Sequence, residues 1–174
     1  MTGRETRLLG LDPGLRATGW GVIDVDGNRL THVADGAVRP PTGGPLAARL
    51  AALHLALARV IDAYRPDEAA VEETFVNRNP ASALRLGQAR GVVLLAPAGA
   101  GLPVAEYPAN LVKKSIVGAG HADKGQIAAM VRALLAIPGV SSPDAGDALA
   151  VAICHAHHRA TGARIAASTT GARP

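Results

Sequence analysis

Asp144 and Asp147 stand three positions apart, which puts both carboxylates on one face of a helix, at its first turn. Ser141, Ser142 and Pro143 precede them, a helix-start signature of hydroxyl cap followed by proline at the first helical position. Acids in such a place can serve merely to complement the helix dipole. The residues that follow argue for more. Ala148, Leu149, Ala150, Val151, Ala152 and Ile153 form an apolar run, so the helix is buried nearly all round and its acids begin close to a core, where an unpaired carboxylate is costly. Asp12 ends another apolar run and is followed by Pro13-Gly14, at the C-terminal end of a strand, where it could also be a turn residue accepting backbone N–H bonds. Glu72 ends a further apolar strand, and acids at the ends of two strands in one sheet can meet above its edge. Strand alternation puts Glu72 and Glu73 on opposite sides, so one of them faces such a site, and the pattern does not say which. Together the four carboxylates would make a hard oxygen site suited to Mg²⁺ or Mn²⁺, with too few soft ligands for zinc. Two such ions roughly 3.5–4 Å apart serve in-line phosphoryl displacement.

The cations add a second signal. Of 18 Lys and Arg residues 15 are Arg, and the three lysines, Lys113, Lys114 and Lys124, fall in one short stretch. A compact ammonium with a tunable pKa suits a scissile phosphate or a leaving group; the alternative is a solvated loop. Phe75, the one phenylalanine, sits in Thr74-Phe-Val-Asn-Arg-Asn-Pro80. It is either a core residue or, beside Arg78 in a polar basic loop, a platform for an unpaired base. Cys154, His155, His157 and His158 lack a structural-zinc framework, and histidines at a helix C-terminus suit its dipole. Gly118-Ala-Gly-His-Ala-Asp-Lys124 is glycine-rich but does not follow a strand as a phosphate loop should, so it reads as a connection into the helix carrying Lys124.

Positioning these groups falls to elements that the pattern predicts in turn. Strands are expected at Arg7–Leu11, Trp20–Val25 and Arg29–Val38, with a hairpin turn at Asp26-Gly27 and a Pro/Gly-rich loop over Pro40–Pro45. A helix with apolar residues at helical spacing covers Leu46–Ala63, a strand Ala69–Glu72, a largely apolar and buried helix Ala81–Ala96, and a last strand Val104–Tyr107. Helices follow over about Lys124–Ala136 and Asp144–Arg159. The order β-β-β-α-β-α-β-α-α defines an α/β layered domain in which an antiparallel hairpin leads into parallel strands.

At 174 residues, nearly half apolar but with 2% aromatics, the chain suits one domain whose core is built from Ala, Leu, Val and Ile. One domain is expected over residues 1–160, with a disordered tail over 161–174. No apolar run reaches the roughly 20 residues of a membrane span, and the N-terminus lacks a signal-peptide apolar segment. A single cysteine fits a reducing compartment, so a cytoplasmic protein is the default. The formal net charge of +4 becomes +8 once four of the fourteen acids are offset by metal, which favours a polyanionic partner.

Four segments resemble the RuvC family of Holliday-junction resolvases, the crossover junction endodeoxyribonucleases. They are Gly10-Leu-Asp-Pro-Gly-Leu-Arg-Ala-Thr-Gly-Trp-Gly-Val22, Val71 to Gly91 with its Ser-Ala-Leu-Arg-Leu-Gly-Gln-Ala-Arg-Gly stretch, Glu106 to Lys124, and Asp144-Ala-Gly-Asp-Ala-Leu-Ala150. They stand in that family's order and spacing from about residue 7 to 158. The resemblance implies an RNase H-like fold, a mixed five-stranded sheet flanked by helices. It implies a homodimer that binds a four-way DNA junction and nicks two strands symmetrically, leaving 5′-phosphate and 3′-hydroxyl ends, in recombination and repair. It also implies a branch-migration motor of the RuvA and RuvB type as partner. Asp12, Glu72, Asp144 and Asp147 fall on the metal-binding carboxylates, which selects Glu72 over Glu73. Lys113 and Lys124 fall on positions near the cut, and Phe75 on the aromatic that stacks at the junction centre; Arg78 and Lys114 are further candidates for DNA contact.

Three other classes share features with the chain. An actin-like sugar kinase or ATPase also ends its first strand in Asp and a glycine turn, but needs a second similar domain and an adenosine site. An RNase H-like nuclease of ribosomal RNA precursors would lack the junction-type segments. A non-catalytic junction binder would gain nothing from clustered negative charge.

Overall fold

The computed structural model describes residues 5–73, 79–118 and 122–170, with side chains to residue 161. Three antiparallel strands come first: β1 (Thr6–Asp12), β2 (Thr18–Asp26) and β3 (Arg29–Val38). Helix α1 (Leu46–Tyr64) crosses to β4 (Glu68–Glu73), and α2 (Pro80–Gly99) crosses to β5 (Val104–Pro108). The chain ends with α3 (Ala109–Val117), α4 (Lys124–Leu135) and α5 (Pro143–Thr170). The sheet order is β3-β2-β1-β4-β5, with β4 parallel to both β1 and β5. Each crossover carries a helix, as parallel pairing requires.

Alternation along the buried strands divides the core into two. Leu9, Leu11, Ala69 and Val71 face α1 and α2, where Leu53, Leu57 and Val93 meet them. Leu8, Ile23 and Ala70 face α3, α4 and α5, where Val112, Val131, Leu149 and Ile153 meet them. By the same alternation Asp12 and Glu72 fall on the α5 side. Glu73 is exposed, which closes the ambiguity between the two glutamates.

Helix α5 lies against the sheet at backbone distance. A Cβ placed on Gly10 would stand 2.1 Å from the Ala148 carbonyl oxygen, and one on Gly19 would stand 1.9 Å from that of Asp144. Only the absence of a side chain permits such an approach. On the helix side, Ala145, Ala148 and Ala152 are fully buried.

Four expectations change. The segment after β5 is a helix, α3, where no element was expected. It is nine residues long and no side chain caps its start, so its periodicity is brief; the signals were Pro108 before it and Gly118 after it. α5 runs to Thr170, past Arg159, because Ala-rich sequence sustains a helix without an apolar stripe. α2 is not a buried helix: Leu84 and Leu95 are 65% and 59% exposed, and Ala89, Val93 and Ala96 carry its contact with the core. His155 stands inside α5 rather than at its end. Its ring nitrogens face the Tyr107 hydroxyl at 2.8 Å and a Glu68 oxygen at 2.9 Å, and Arg159 donates to the same carboxylate. These contacts, and not the helix dipole, account for it. Among the described residues no helix is long and apolar enough to cross a membrane.

Candidate active site

Asp12 is fixed from both sides of the strand end. Pro13 carries no N–H to extend the ladder, and the loop that follows is closed by the fully buried Thr18. The Thr18 hydroxyl donates to the Gly14 carbonyl at 2.7 Å and accepts from the Gly14 N–H at 3.2 Å. Glu72 lies near the end of β4, level with Tyr107 of β5. Parallel registry of β1 with β4 brings Glu72 beside Asp12.

Asp144 and Asp147 come from the first turns of α5, whose start is built as the sequence indicates. Pro143 opens the helix, and Ser142 Oγ accepts from the Ala145 N–H at 3.2 Å. A second anchor was not legible. The β2–β3 register slips between Val22 and Ile23, which pair with Ala34 and His32, leaving Val33 as an extra residue. The bulge puts His32 and Asp35 on one face, where they meet at 2.8 Å, and Asp35 Oδ1 accepts from the Ser141 N–H at 2.8 Å. β3 thereby holds the loop that leads into α5.

Asp12, Glu72 and Asp147 line one cleft of about 260 Å³, with Lys113 of α3 and Lys124 of α4 on its rim. Burial is the largest cause of a raised Asp12 pKa, pushed up to about 7, and repulsion from Glu72, Asp147 and Asp144 adds to it. Glu72 is raised by burial and by Asp147, against Lys113 and Lys124; Asp147 is raised by burial, against Lys124. Lys124 Nζ stands 3.9 Å from Asp147 Oδ2, but its side chain is 91% exposed, so this pair offsets little of the charge.

Asp144 differs from the other three. Its carboxylate accepts from Arg39 Nη2 at 3.1 Å, and it borders the neighbouring groove rather than the cleft. No three acidic, histidine or cysteine side chains among the described residues close round a single ion as they stand. The donor chemistry nonetheless fits a hard divalent cation: crowded, desolvated carboxylates whose repulsion such an ion would relieve. Lys114 projects from the exposed side of α3, away from the cleft. Phe75 and Arg78 lie outside the described residues. Arg39 and the His32–Asp35 anchor were missed, having no spacing signal. The glycines were in plain view, since Gly19 and Gly21 at alternate positions of one strand strip a face of side chains.

A mixed five-stranded sheet with carboxylates at the ends of β1 and β4 and at the start of α5 defines the RNase H-like class. The comparisons agree. The family model for crossover junction endodeoxyribonuclease RuvC matches residues 8–155. A Paramagnetospirillum magneticum protein named crossover junction endodeoxyribonuclease RuvC is 63% identical over 92% of this chain and 96% of its own. One of the same name from Rhodospirillum rubrum is 62% identical over 95% and 98%. Among solved structures, T. thermophilus RuvC in complex with Holliday junction substrate superposes with a TM-score of 0.84 at 34% identity, covering 90% of this chain and 96% of that one. The chain belongs to the RuvC family of crossover junction endodeoxyribonucleases.

Proposed function

We propose that this chain resolves four-way DNA junctions by paired, symmetric nicks, and that its cleft does so with two Mg²⁺ ions, which Mn²⁺ can replace. The observation that carries the reading is the cleft itself: three desolvated carboxylates at a sheet edge, with two lysines on the rim. A site for binding phosphate alone would not concentrate negative charge. Asp12, Glu72 and Asp147 would hold the ions, and Asp144 would join them by exchanging Arg39 for metal. The ions supply the charge neutralisation and Lewis acidity that in-line displacement at phosphorus requires, leaving 5′-phosphate and 3′-hydroxyl ends. Lys113 and Lys124 meet the phosphate with positive charge from the opposite wall.

Pairing of the nicks calls for two copies of the site, and α2 supports a homodimer. Gly87 and Gly91 have open space where a side chain would stand, and Leu84 and Leu95 flank them along the helix. A second copy of the helix can approach closely there, and a two-fold assembly matches a junction of approximate two-fold symmetry. A branch-migration motor of the RuvA and RuvB type would deliver the junction, in the cytoplasm.

The test is incubation with a synthetic four-way junction and with its matching linear duplex, in Mg²⁺ and in EDTA. Symmetric nicks confined to the junction and abolished by EDTA are expected. Equal cutting of the duplex, or cutting in EDTA, would overturn the reading.

A further inference from the structure

Beside the catalytic cleft, across Asp144, lies a larger groove of about 800 Å³ that no carboxylate chemistry accounts for. Three separate elements each bring one arginine to it: Arg16 from the loop after β1, Arg49 from α1 and Arg85 from the first turns of α2. Thr42 and Ser82 add hydroxyls, and Asp144 is the one acid on its wall. The arginines are not equivalent. Arg49 is spent on the backbone, donating to the carbonyls of Pro41 at 2.7 Å and Leu15 at 3.4 Å, and so braces the groove's rim. Arg16 and Arg85 are exposed, and neither has an ion-pair partner among the described residues, whereas Arg7, Arg39, Arg90 and Arg159 each meet a carboxylate.

We propose that this groove is a second phosphodiester-backbone site, in which Arg16 and Arg85 hold the strand flanking the cut on the side away from Lys113 and Lys124. The inference rests on the nuclease reading above and extends it to residues outside the cleft. Two features carry it. First, Asp144 borders the groove while Asp147, one helical turn on, lines the cleft, so a strand crossing the start of α5 passes from one into the other. Second, the cations differ by place: Lys113 and Lys124 line the cleft, and Arg16, Arg49 and Arg85 line the groove. A guanidinium grips a phosphate in a fixed fork, which suits holding, while an ammonium is a point charge that suits the reacting group. The groove therefore supplies affinity and register, and the cleft supplies chemistry.

The test is the double variant Arg16→Gln, Arg85→Gln, measured with a synthetic four-way junction in EDTA across a range of salt. Loss of two phosphate contacts lowers the slope of log affinity against log salt by about 2 and weakens binding roughly tenfold or more at moderate salt. Arg29→Gln, at the β2–β3 turn and the far end of the sheet from Asp12, is expected to change none of these. An unchanged slope and affinity in the double variant would overturn the proposal, as would an equal change in Arg29→Gln. Both substitutions are on exposed side chains, and an unaltered melting temperature checks that the fold is intact. The outcomes separate from those of the nuclease reading: if the parent protein fails to cut the junction, that reading falls, whereas a parent that cuts and a double variant that binds like it sink the groove alone.

Discussion

Asp12 has three acidic neighbours and little water, and both conditions favour its protonated form. Its ordinary pKa of 3.8 rises to about 7 in the folded chain, so the folded state holds a proton that the unfolded chain has released. Its contribution to stability is whole below pH 4 and is lost as the pH rises to about 7. Thermal melts of the metal-free protein should therefore show stability falling over that window. Asp12→Asn should flatten the slope and gain ~2 kcal/mol at pH 8. The same variant should lose cleavage while keeping or improving junction binding, because a repulsion with phosphate is gone; normal cleavage would remove Asp12 from the metal site. Titrating Mg²⁺ into the parent at pH 6.5 should release protons, as carboxyls must ionise to bind. At the rim, Lys113→Arg keeps the charge but not its shape, and should cost roughly 100-fold in single-turnover rate, the low end for a positioned acid–base group. Full activity would make the lysine cluster incidental.

The elements explain which residues could be read in advance. Asp12, Asp144 and Asp147 were legible because each follows from a local rule: a strand stopped by Pro-Gly, or a helix opened by Ser-Ser-Pro. The choice of Glu72 over Glu73 came from the resemblance, since period-2 alternation names two faces without saying which is inside; the pairing of β4 with β1 decides it in space. α3 escaped because nine residues hold too few apolar repeats, and the Arg39–Asp144 pair because its members are far apart in the chain. Gly19 belongs at this scale too. A methyl there would meet the Asp144 carbonyl at 1.9 Å, so Gly19→Ala should cost about 3 kcal/mol and displace the start of α5. Gly43→Ala, with nothing within 4 Å, is the matched control. Equal melting temperatures for the two would show that the close approach of α5 is not needed.

Across the whole molecule, apolar content alone misjudged α2. A helix rich in Leu, Ala and Gly reads as core, yet Leu84 and Leu95 face outward, as the proposed dimer would require of a partner surface. Leu84→Glu combined with Leu95→Glu should yield a monomer in sedimentation and uncouple the two nicks, so that singly nicked junctions accumulate; an unchanged mass would place the interface elsewhere. The glycine-lined seat of α5 has a consequence for motion. Where helix and strand backbones touch, their amides can meet deuterium only when the domain opens as a unit. Deuterium uptake should therefore be slowest in β1 and the first half of α5, which carry Asp12, Asp144 and Asp147, and faster in short α3 and the start of α4, which carry the lysines. On the proposed reading the acids form a fixed jaw and the ammonium groups an adjustable one, which would let the site accommodate a deformed backbone without moving the carboxylates.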